Sequence, residues 1–327
     1  MSTTTLTEQP RTGQPAKKPG LLHGLTWLVL RQHRTTSWIV VALTVLGAAA
    51  IIYERGAMAD MLAGMGWPDK DVSLQNAPQS YEYIAEALGA LPVVLAVFIG
   101  APLIASDQEH GTAHLVTTQS VPRRRWLAAK LAWCLSLVLV ATVVLSTLFS
   151  WWWEPYRDLL LSEWLSGSVF DNTGPMLAAL SLFLTMSGIA IGMLLRRVLP
   201  AMLGTFFFAL VVQVAWGQFR HLLGSPHIIK WPLNADTPAM VNSSDIVETD
   251  RWVGSADGQL YPWSTCVEQT EKASDACVKE HGIVDNVVEY FGYPQMPGMQ
   301  WTGAALLLGA TAAVAVFVLW WTSRRPL

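Results

Sequence analysis

Charged residues are scarce in this chain, and their scarcity limits the classes of protein to which it can belong. Only 14% of its 327 residues are Asp, Glu, Lys or Arg, while 52% are hydrophobic. Soluble domains carry about a quarter of their residues as charged ones, because these cover the surface. The composition excludes a disordered chain, a coiled coil and a basic nucleic-acid-binding protein. It favours an integral membrane protein with several spans.

Signatures of nucleotide binding and catalysis are also missing. The chain has no G-x-x-x-x-G-K-[ST] loop to cradle ATP phosphates, no G-x-S-x-G and no H-E-x-x-H. His110 and His114 have the spacing of two zinc ligands, but Gly111 stands where a zinc protease carries Glu, and a third ligand is missing. A polar helix in a loop is the simpler interpretation. We therefore expect no catalytic, cofactor-binding or metal-binding residues in this chain.

Six windows without charged residues are long enough to cross a bilayer, which takes about 20 apolar residues in a helix. They cover residues 35–53, 87–106, 131–153, 172–195, 198–219 and 290–323, the last with its apolar core at 301–322. Six buried helices of a large soluble protein are the alternative, but too few polar residues would remain to coat them. Because no charge lies well inside a span, an ion-coupled transporter is disfavoured. Gln213, the most polar residue in a span, is expected to form an interhelical hydrogen bond.

Lys and Arg are unevenly distributed between the loops. With the N-terminus inside, the cytoplasmic pieces 1–34, 107–130, 196–197 and 324–327 hold 13 basic residues and 3 acidic ones. The outer segments hold 8 basic residues and 21 acidic ones. Because Lys and Arg concentrate in short cytoplasmic loops, both termini are predicted to lie on the cytoplasmic side of a multi-pass membrane protein.

These features predict an all-α integral membrane fold with six transmembrane helices. The successive regions are a disordered tail (1–19), an amphipathic interfacial helix (20–34), transmembrane helices one to five (35–219), an extracytoplasmic loop or subdomain (220–298), a sixth helix (299–323) and a cytoplasmic end (324–327). Gly188 and Gly192 form a G-x-x-x-G pattern that permits close helix packing, either within the chain or between two chains.

Two of the three cysteines, Cys266 and Cys277, fall in the large outer loop, where disulfides persist. We expect them to form a disulfide, with two free thiols as the alternative. Zinc is disfavoured, because only His281 is near and a structural zinc site takes four ligands.

The loop between the second and third spans has the most specific pattern. Ser106 and Glu109 form an S-x-x-E capping box, which predicts a polar helix over residues 107–118 as the chain leaves the second span. Ser120 and Pro122 predict the start of the next helix. A short helix held against the membrane by two spans suits docking to a cytoplasmic partner. A basic anchor alone would explain the run of arginines but not the capped helix.

At this loop the sequence resembles the ABC-2 family of bacterial ABC-transporter permease subunits. The family pattern has an acidic residue, a Gly-Thr pair, a Leu, then basic residues and a Lys that leads into the third span. The matching residues are Glu109, Gly111, Thr112, Leu115, Arg123 or Arg124, and Lys130. The stretch 118–127 is similar to a branch with T-Q-S-V-T-R-x-R-W, with Pro122 in place of the usual Thr. Together with Asp107, these residues are expected to couple the chain to an ATPase.

The resemblance implies partners and a function. Two permease chains, identical or different, would work with two separate ATPase chains that bind ATP and Mg, in the bacterial cytoplasmic membrane. It also implies an interfacial helix, a coupling helix, and short outer helices between spans five and six. With apolar spans, the expected activity is export of a hydrophobic or amphipathic drug, lipid or modified peptide. A sensor or immunity protein is one alternative; a membrane enzyme is another, with candidate outer residues Asp257, His281, Asp285 and Glu289.

Overall fold

Helices make up most of the computed structural model, which describes residues 25–70, 72, 79–111, 122–160 and 162–324. Within them, the α-helices are α1 (Leu25–Gln32), α2 (Arg34–Met65), α3 (Gln79–Leu95), α4 (Pro102–Glu109), α5 (Arg123–Trp153), α6 (Gly167–Phe170), α7 (Met176–Leu195), α8 (Val198–Phe219), α9 (Glu271–Glu280) and α10 (Met296–Arg324). The strands are β1 (His227–Pro232), β2 (Ile246–Ser255), β3 (Leu260–Pro262) and β4 (Ile283–Gly292). A π-helical turn, Ala96–Gly100, joins α3 to α4. The predicted tail, 1–19, and the start of the predicted interfacial helix lie outside the described residues, as do 325–327.

Among the described residues, six helical segments are long and apolar enough to cross a membrane, which confirms the predicted number of spans. They are Arg34–Met65, Gln79–Glu109, Arg123–Tyr156, Met176–Leu195, Val198–Leu222 and Tyr293–Thr322. The fourth span is central, since 83% of its most apolar window is buried, against 11% for the first span and 17% for the fifth. A helix that is apolar all round belongs in a core. The other spans therefore pack around α7, and the first and fifth leave most of their apolar surface uncovered by this chain.

The first span extends well beyond its charge-free window. α2 carries Glu54 and Arg55 and continues to Met65, because Met58 and Leu62 on its last turns are buried in the main hydrophobic core. The guanidinium of Arg55 lies over the ring of Trp151, 3.6 Å from its centroid, so the charge is held against an aromatic face. Packing against neighbouring helices therefore lengthens the helix past the point where hydropathy ends.

The second span packs along the central helix α7. Pro92 lies inside α3 and cannot donate a backbone hydrogen bond. Gln213 donates its Nε2–H to the carbonyl of Gly89 at 2.9 Å, which confirms the predicted interhelical bond. A Cβ at Gly188 would lie 2.7 Å from the carbonyl oxygen of Ala96, and one at Gly192 would clash with a neighbouring carbonyl. The G-x-x-x-G pattern thus serves a close helix contact within this chain.

The segment between the fifth and sixth spans forms an antiparallel sheet with strand order β1-β4-β2-β3. The all-α prediction is wrong for this segment, which forms a sheet beside the short helix α9. The physical reason is that β2 and β4 are rich in β-branched and aromatic residues, which favour strands. Of these, Val247, Val287, Val288 and Phe291 are buried.

A helix of ten residues, α9, lies between β3 and β4 in the chain. Thr270 is its N-cap and accepts a hydrogen bond from the backbone N–H of Ala273 at 3.3 Å. A disulfide joins Cys266, which precedes α9, to Cys277 within it. Cys266 packs in a small core with Val253 and Ile283 from β2 and β4. The disulfide therefore fastens α9 to the sheet.

The bundle has two distinct ends. The sheet end carries the four strands and the segment with α6. The basic end carries α1, the end of α4, the start of α5 and the two-residue connection Arg196–Arg197 between α7 and α8. Arg196 adopts a left-handed conformation with φ 59°, which allows this tight connection.

Candidate coupling site at the basic end

The predicted coupling residues lie where three spans meet at the basic end. Asp107 and Glu109 lie on the last turn of α4, Arg123 and Lys130 on the first two turns of α5, and the N-terminus of α8 lies beside them. Gly111 ends the turn after α4. Thr112 and Leu115, with the rest of the predicted helix to residue 118, lie outside the described residues.

A buried ion pair links the second span to the third. The Lys130 ammonium donates to the Asp107 carboxylate; Lys130 has no exposed surface and Asp107 is 7% exposed. The ammonium also lies 4.6 Å from the ring centroid of Trp126, and Gln32 of α1 donates to Asp107 Oδ1 at 3.4 Å. Removing one partner of such a pair leaves an uncompensated buried charge. The pair therefore ties α1, α4 and α5 into one unit.

Glu109 connects the same turn to the fifth span. Its Oε2 accepts a hydrogen bond from the backbone N–H of Val198, the first residue of α8, at 2.7 Å. A carboxylate at a helix N-terminus satisfies an orphan N–H and complements the helix dipole. Glu109 is thus a cap for α8, a partner 89 residues away in the chain.

The predicted capping box is wrong. Ser106 lies inside α4, which runs on to Glu109 because its buried residues Leu103, Ile104 and Ala105 pack against the bundle. The helix ends at Glu109 with His110 as its C-cap, and Gly111 follows with φ +68°, a conformation that glycine adopts without strain. A helix starting at Ser106 would need Ser106 in a non-helical conformation, whereas Ser106 is the fifth residue of α4, which begins at Pro102.

The third span begins close to its predicted start, but Pro122 is the N-cap and not a residue of the first turn, and Ser120 lies outside the described residues. Pro122 adopts an extended conformation as N-cap, and α5 begins at Arg123. Arg123 is half-buried and Arg124 is exposed, so the positive charges of this turn face outward beside the Lys130–Asp107 pair.

A model of the family described as "ABC-2 membrane transporter related" matches residues 40–220, more than half of the chain. The chain belongs to this family. The match covers most of the first five spans and the part of the site on α4, α5 and α8, but not Gln32 of α1. Searches of curated proteins and of solved structures return no match. The ABC-2 chain is thus a multi-pass membrane protein of a transporter family whose members work with an ABC ATPase.

Sequence reasoning missed His33, which lies next to the ion pair of this ABC-2 chain. Its ring stacks on Trp133 with centroids 4.7 Å apart. Burial and the nearby Lys130 lower the pKa of His33 to about 4, and Asp107 counteracts this in part. The imidazole is therefore neutral at pH 7. Its only sequence signal was its place between Arg31 and Arg34 ahead of the first span.

A second polar cluster, also missed, lies at the sheet end of the ABC-2 chain. Asp171 accepts a hydrogen bond from Trp216 Nε1–H at 2.9 Å and lies 3.5 Å from Arg220. Burial raises the pKa of Asp171, and Arg220 counteracts the shift. These contacts fasten the segment before the fourth span to the end of the fifth.

The other candidate chemical groups are not brought together. His110 Nδ1 contacts the carbonyl of Ser106 at 2.8 Å, and His114 lies outside the described residues. In the part of the chain that the structure describes, the one cluster with metal-ligand geometry is Cys266, Cys277 and His281, and both of its sulfurs are in the disulfide.

The residues proposed for a membrane enzyme are also separated. Asp285 and Glu289 lie on β4, four residues and about 13 Å apart at the rise of a strand. Asp257 lies in the turn after β2, where a hydrogen bond from Ser255 lowers its pKa. Its carboxylate therefore stays ionised at neutral pH. The backbone positions of Asp285 and Glu289 are well separated along β4.

Proposed function

We propose that this chain is the permease subunit of an ATP-driven exporter of hydrophobic or amphipathic molecules. A separate ATPase subunit, which binds ATP and Mg, would energise it from the basic end. Two permease chains, identical or different, would form the pathway. The observation that carries the proposal is the set of contacts at the end of α4, where Lys130–Asp107 and Glu109–Val198 join the second span to the third and fifth.

These contacts suit the transmission of movement. The segment 110–122 leaves α4 directly after Glu109 and enters α5 directly before Arg123. A partner that moves this segment pulls on α4 and α5 together, because the buried pair holds the two helices to each other. The Glu109 cap passes the displacement on to α8. One docking event can therefore shift three spans at once.

The proposed orientation puts the basic end in the cytoplasm of a bacterial cell, with the sheet outside. Positive charge at short loops supports it, since Arg123, Arg124, Arg125, Arg196 and Arg197 all lie at this end. A single cysteine at Leu260 or at Arg196, in a chain with Cys134 replaced by Ala and with Cys266 and Cys277 replaced by Ser, tests it with a membrane-impermeant thiol reagent. In intact cells we expect labelling at 260 and not at 196. Labelling at 196 alone would invert the model.

The coupling role is tested by charge reversal at the α8 cap. In the complex with its ATPase, Glu109→Lys places a positive charge at a helix N-terminus and removes the hydrogen-bond acceptor, a local cost of about 1–2 kcal/mol. The six-span bundle should survive this cost. We expect normal membrane levels with loss of substrate-stimulated ATP hydrolysis. Glu109→Gln retains an acceptor oxygen and should keep partial stimulation.

The matched control is Glu268→Lys, the same charge reversal at an exposed position of the sheet end. It should leave stimulated hydrolysis unchanged. Stimulation and export at wild-type level in Glu109→Lys would show that the carboxylate has no part in coupling.

A further inference from the structure

A groove on the outside of the bundle runs between the first and second spans. Its larger part is a cavity of about 400 Å³, in which every lining residue except Thr36 and Thr44 is apolar. Thr44 donates its hydroxyl to the carbonyl of Val40 at 2.8 Å, so it presents no free donor. Ile39 and Phe98 on its walls are 54% and 62% exposed, which shows that the cavity opens sideways from the bundle.

The groove becomes polar toward the basic end. A second cavity of about 290 Å³ shares Thr36, Phe98 and Ile99 with the first, and it is lined further by Gln32, His33 and Asp107. The two cavities therefore adjoin each other, one apolar and one polar. Such a shape matches a molecule with a hydrocarbon chain and a polar head.

His33 has an unused hydrogen-bonding atom at the polar part. Its Nε2 is buried and has no hydrogen-bond partner among the described residues. A buried polar atom without a partner is costly, so a turn of the ring that brings Nε2 to a ligand group in the cavity would be favoured. The tautomer with hydrogen on Nε2 donates one hydrogen bond, which suits an acceptor oxygen.

The charge around the polar part is positive. Arg31 and Arg34 flank the two residues that line it, and both are exposed. Residues 9–53 contain no Asp or Glu, and the charge of Asp107 is compensated by Lys130. An exposed arginine pair at the membrane surface attracts an anionic headgroup.

We propose that this groove binds an anionic phospholipid of the bilayer. An acyl chain lies in the apolar cavity between α2 and α3, and the phosphate accepts a hydrogen bond from His33 between Arg31 and Arg34. The occupant is a membrane lipid because the apolar cavity opens toward hydrocarbon, where no water is present to fill it. The inference goes beyond the export function and does not depend on it.

The test is native mass spectrometry of the purified full-length chain in mild detergent. It is titrated with phosphatidylglycerol or phosphatidylcholine of the same acyl chains, with no ATPase present. We expect a phosphatidylglycerol adduct at concentrations that give none with phosphatidylcholine. The double variant Arg31→Gln/Arg34→Gln should raise the Kd for phosphatidylglycerol about 30-fold. The matched double variant Arg124→Gln/Arg125→Gln, exposed at the same end, should leave it unchanged.

Blocking the apolar cavity tests where the acyl chain of the lipid binds. Val94→Trp and, separately, Ile39→Trp fill the cavity and should abolish the adduct, whereas Val140→Trp, on the exposed face of α5, should not. Two blocking variants are used so that one misfolded protein does not decide the result, and each must elute as a single monodisperse peak.

Three results would overturn the proposal. They are equal binding of the two lipids, an unchanged Kd in the Arg31/Arg34 variant, and wild-type binding in both blocking variants. Binding that needs removal of residues 2–20 would also overturn it, because the chain's own N-terminal segment would then fill the groove. Since no nucleotide or substrate enters the assay, failure here is distinct from failure of the export proposal.

Discussion

Replacing Lys130 by Met tests whether the buried pair holds the basic end together. Met has nearly the length of Lys but no charge, so the substitution leaves the Asp107 carboxylate in a site that is 7% exposed. Breaking a buried ion pair in this way destabilises a protein by about 3–5 kcal/mol. In an unfolding titration with a denaturing detergent, we expect Lys130→Met to unfold at a clearly lower detergent concentration than wild type.

The double variant Asp107→Leu/Lys130→Met separates charge from shape. It removes both charges and keeps an apolar volume at the site, which is often neutral or stabilising. We expect its unfolding midpoint to return to within about 1 kcal/mol of wild type. In the complex with the ATPase subunit, we expect the double variant to lose substrate-stimulated hydrolysis, because the apolar pair lacks the directed contact that ties α4 to α5.

An exposed ion pair of the same chain is the control. Arg251 Nη2 lies 2.7 Å from Glu248 Oε2 on the sheet, and both side chains are 36% exposed. Such pairs contribute about 0–1 kcal/mol, so Arg251→Met should barely move the unfolding midpoint. A Lys130→Met variant as stable as Arg251→Met would refute the reasoning. So would a double variant as unstable as the single one, since shape rather than charge would then control stability.

Three further predictions concern the disulfide, ATP and pH. Non-reducing peptide mapping of membranes should recover Cys266 and Cys277 in one linked fragment, and replacing both by Ser should cost the sheet subdomain about 3 kcal/mol from loop closure; recovery of two free thiols would contradict this. The chain purified alone, with purity checked by mass spectrometry, should show no ATP hydrolysis. Because the pKa of His33 is lowered from 6.5 to about 4, the unfolded chain binds a proton that the folded one does not. The free energy of unfolding should therefore fall as the pH is lowered from 6.5 to 4. In unfolding titrations over this pH range, the His33→Gln variant should lack that part of the pH dependence.

The spans could be predicted from the sequence because hydropathy is a property of each segment by itself. The charge-free windows locate all six, and the central position of α7 agrees with the small and apolar residues around Gly188. The exact ends could not be predicted, because they depend on packing by residues such as Met58 and Leu62.

The contacts of the coupling site could be predicted only in part. Asp107 and Lys130 lie at the edges of two successive spans, where opposite charges favour pairing. Both could be named as coupling residues from the sequence, but their ion pair was not predicted. The contact from Glu109 to Val198 joins residues 89 apart and depends on how three helices pack, so no local pattern reveals it. The S-x-x-E pattern indicated a local cap, but the same carboxylate caps a distant helix.

The sheet is the main error, and its signal was present in the sequence. The segments 246–255 and 283–292 are rich in Val, Ile, Tyr and Phe, which favour strands. The hydropathy of the chain as a whole indicates membrane helices and hides this local preference. The family pattern, which implies short outer helices, outweighed this local preference.

Photo-crosslinking at the basic end tests the central claim most directly. A benzoylphenylalanine at Arg197, which is exposed beside the Glu109–Val198 contact, should crosslink to the ATPase subunit when the two proteins are co-expressed. The same group at Leu260, on the sheet, should give no crosslink to the ATPase. A crosslink at 260 with none at 197 would place the ATPase at the other end of the bundle and contradict the account.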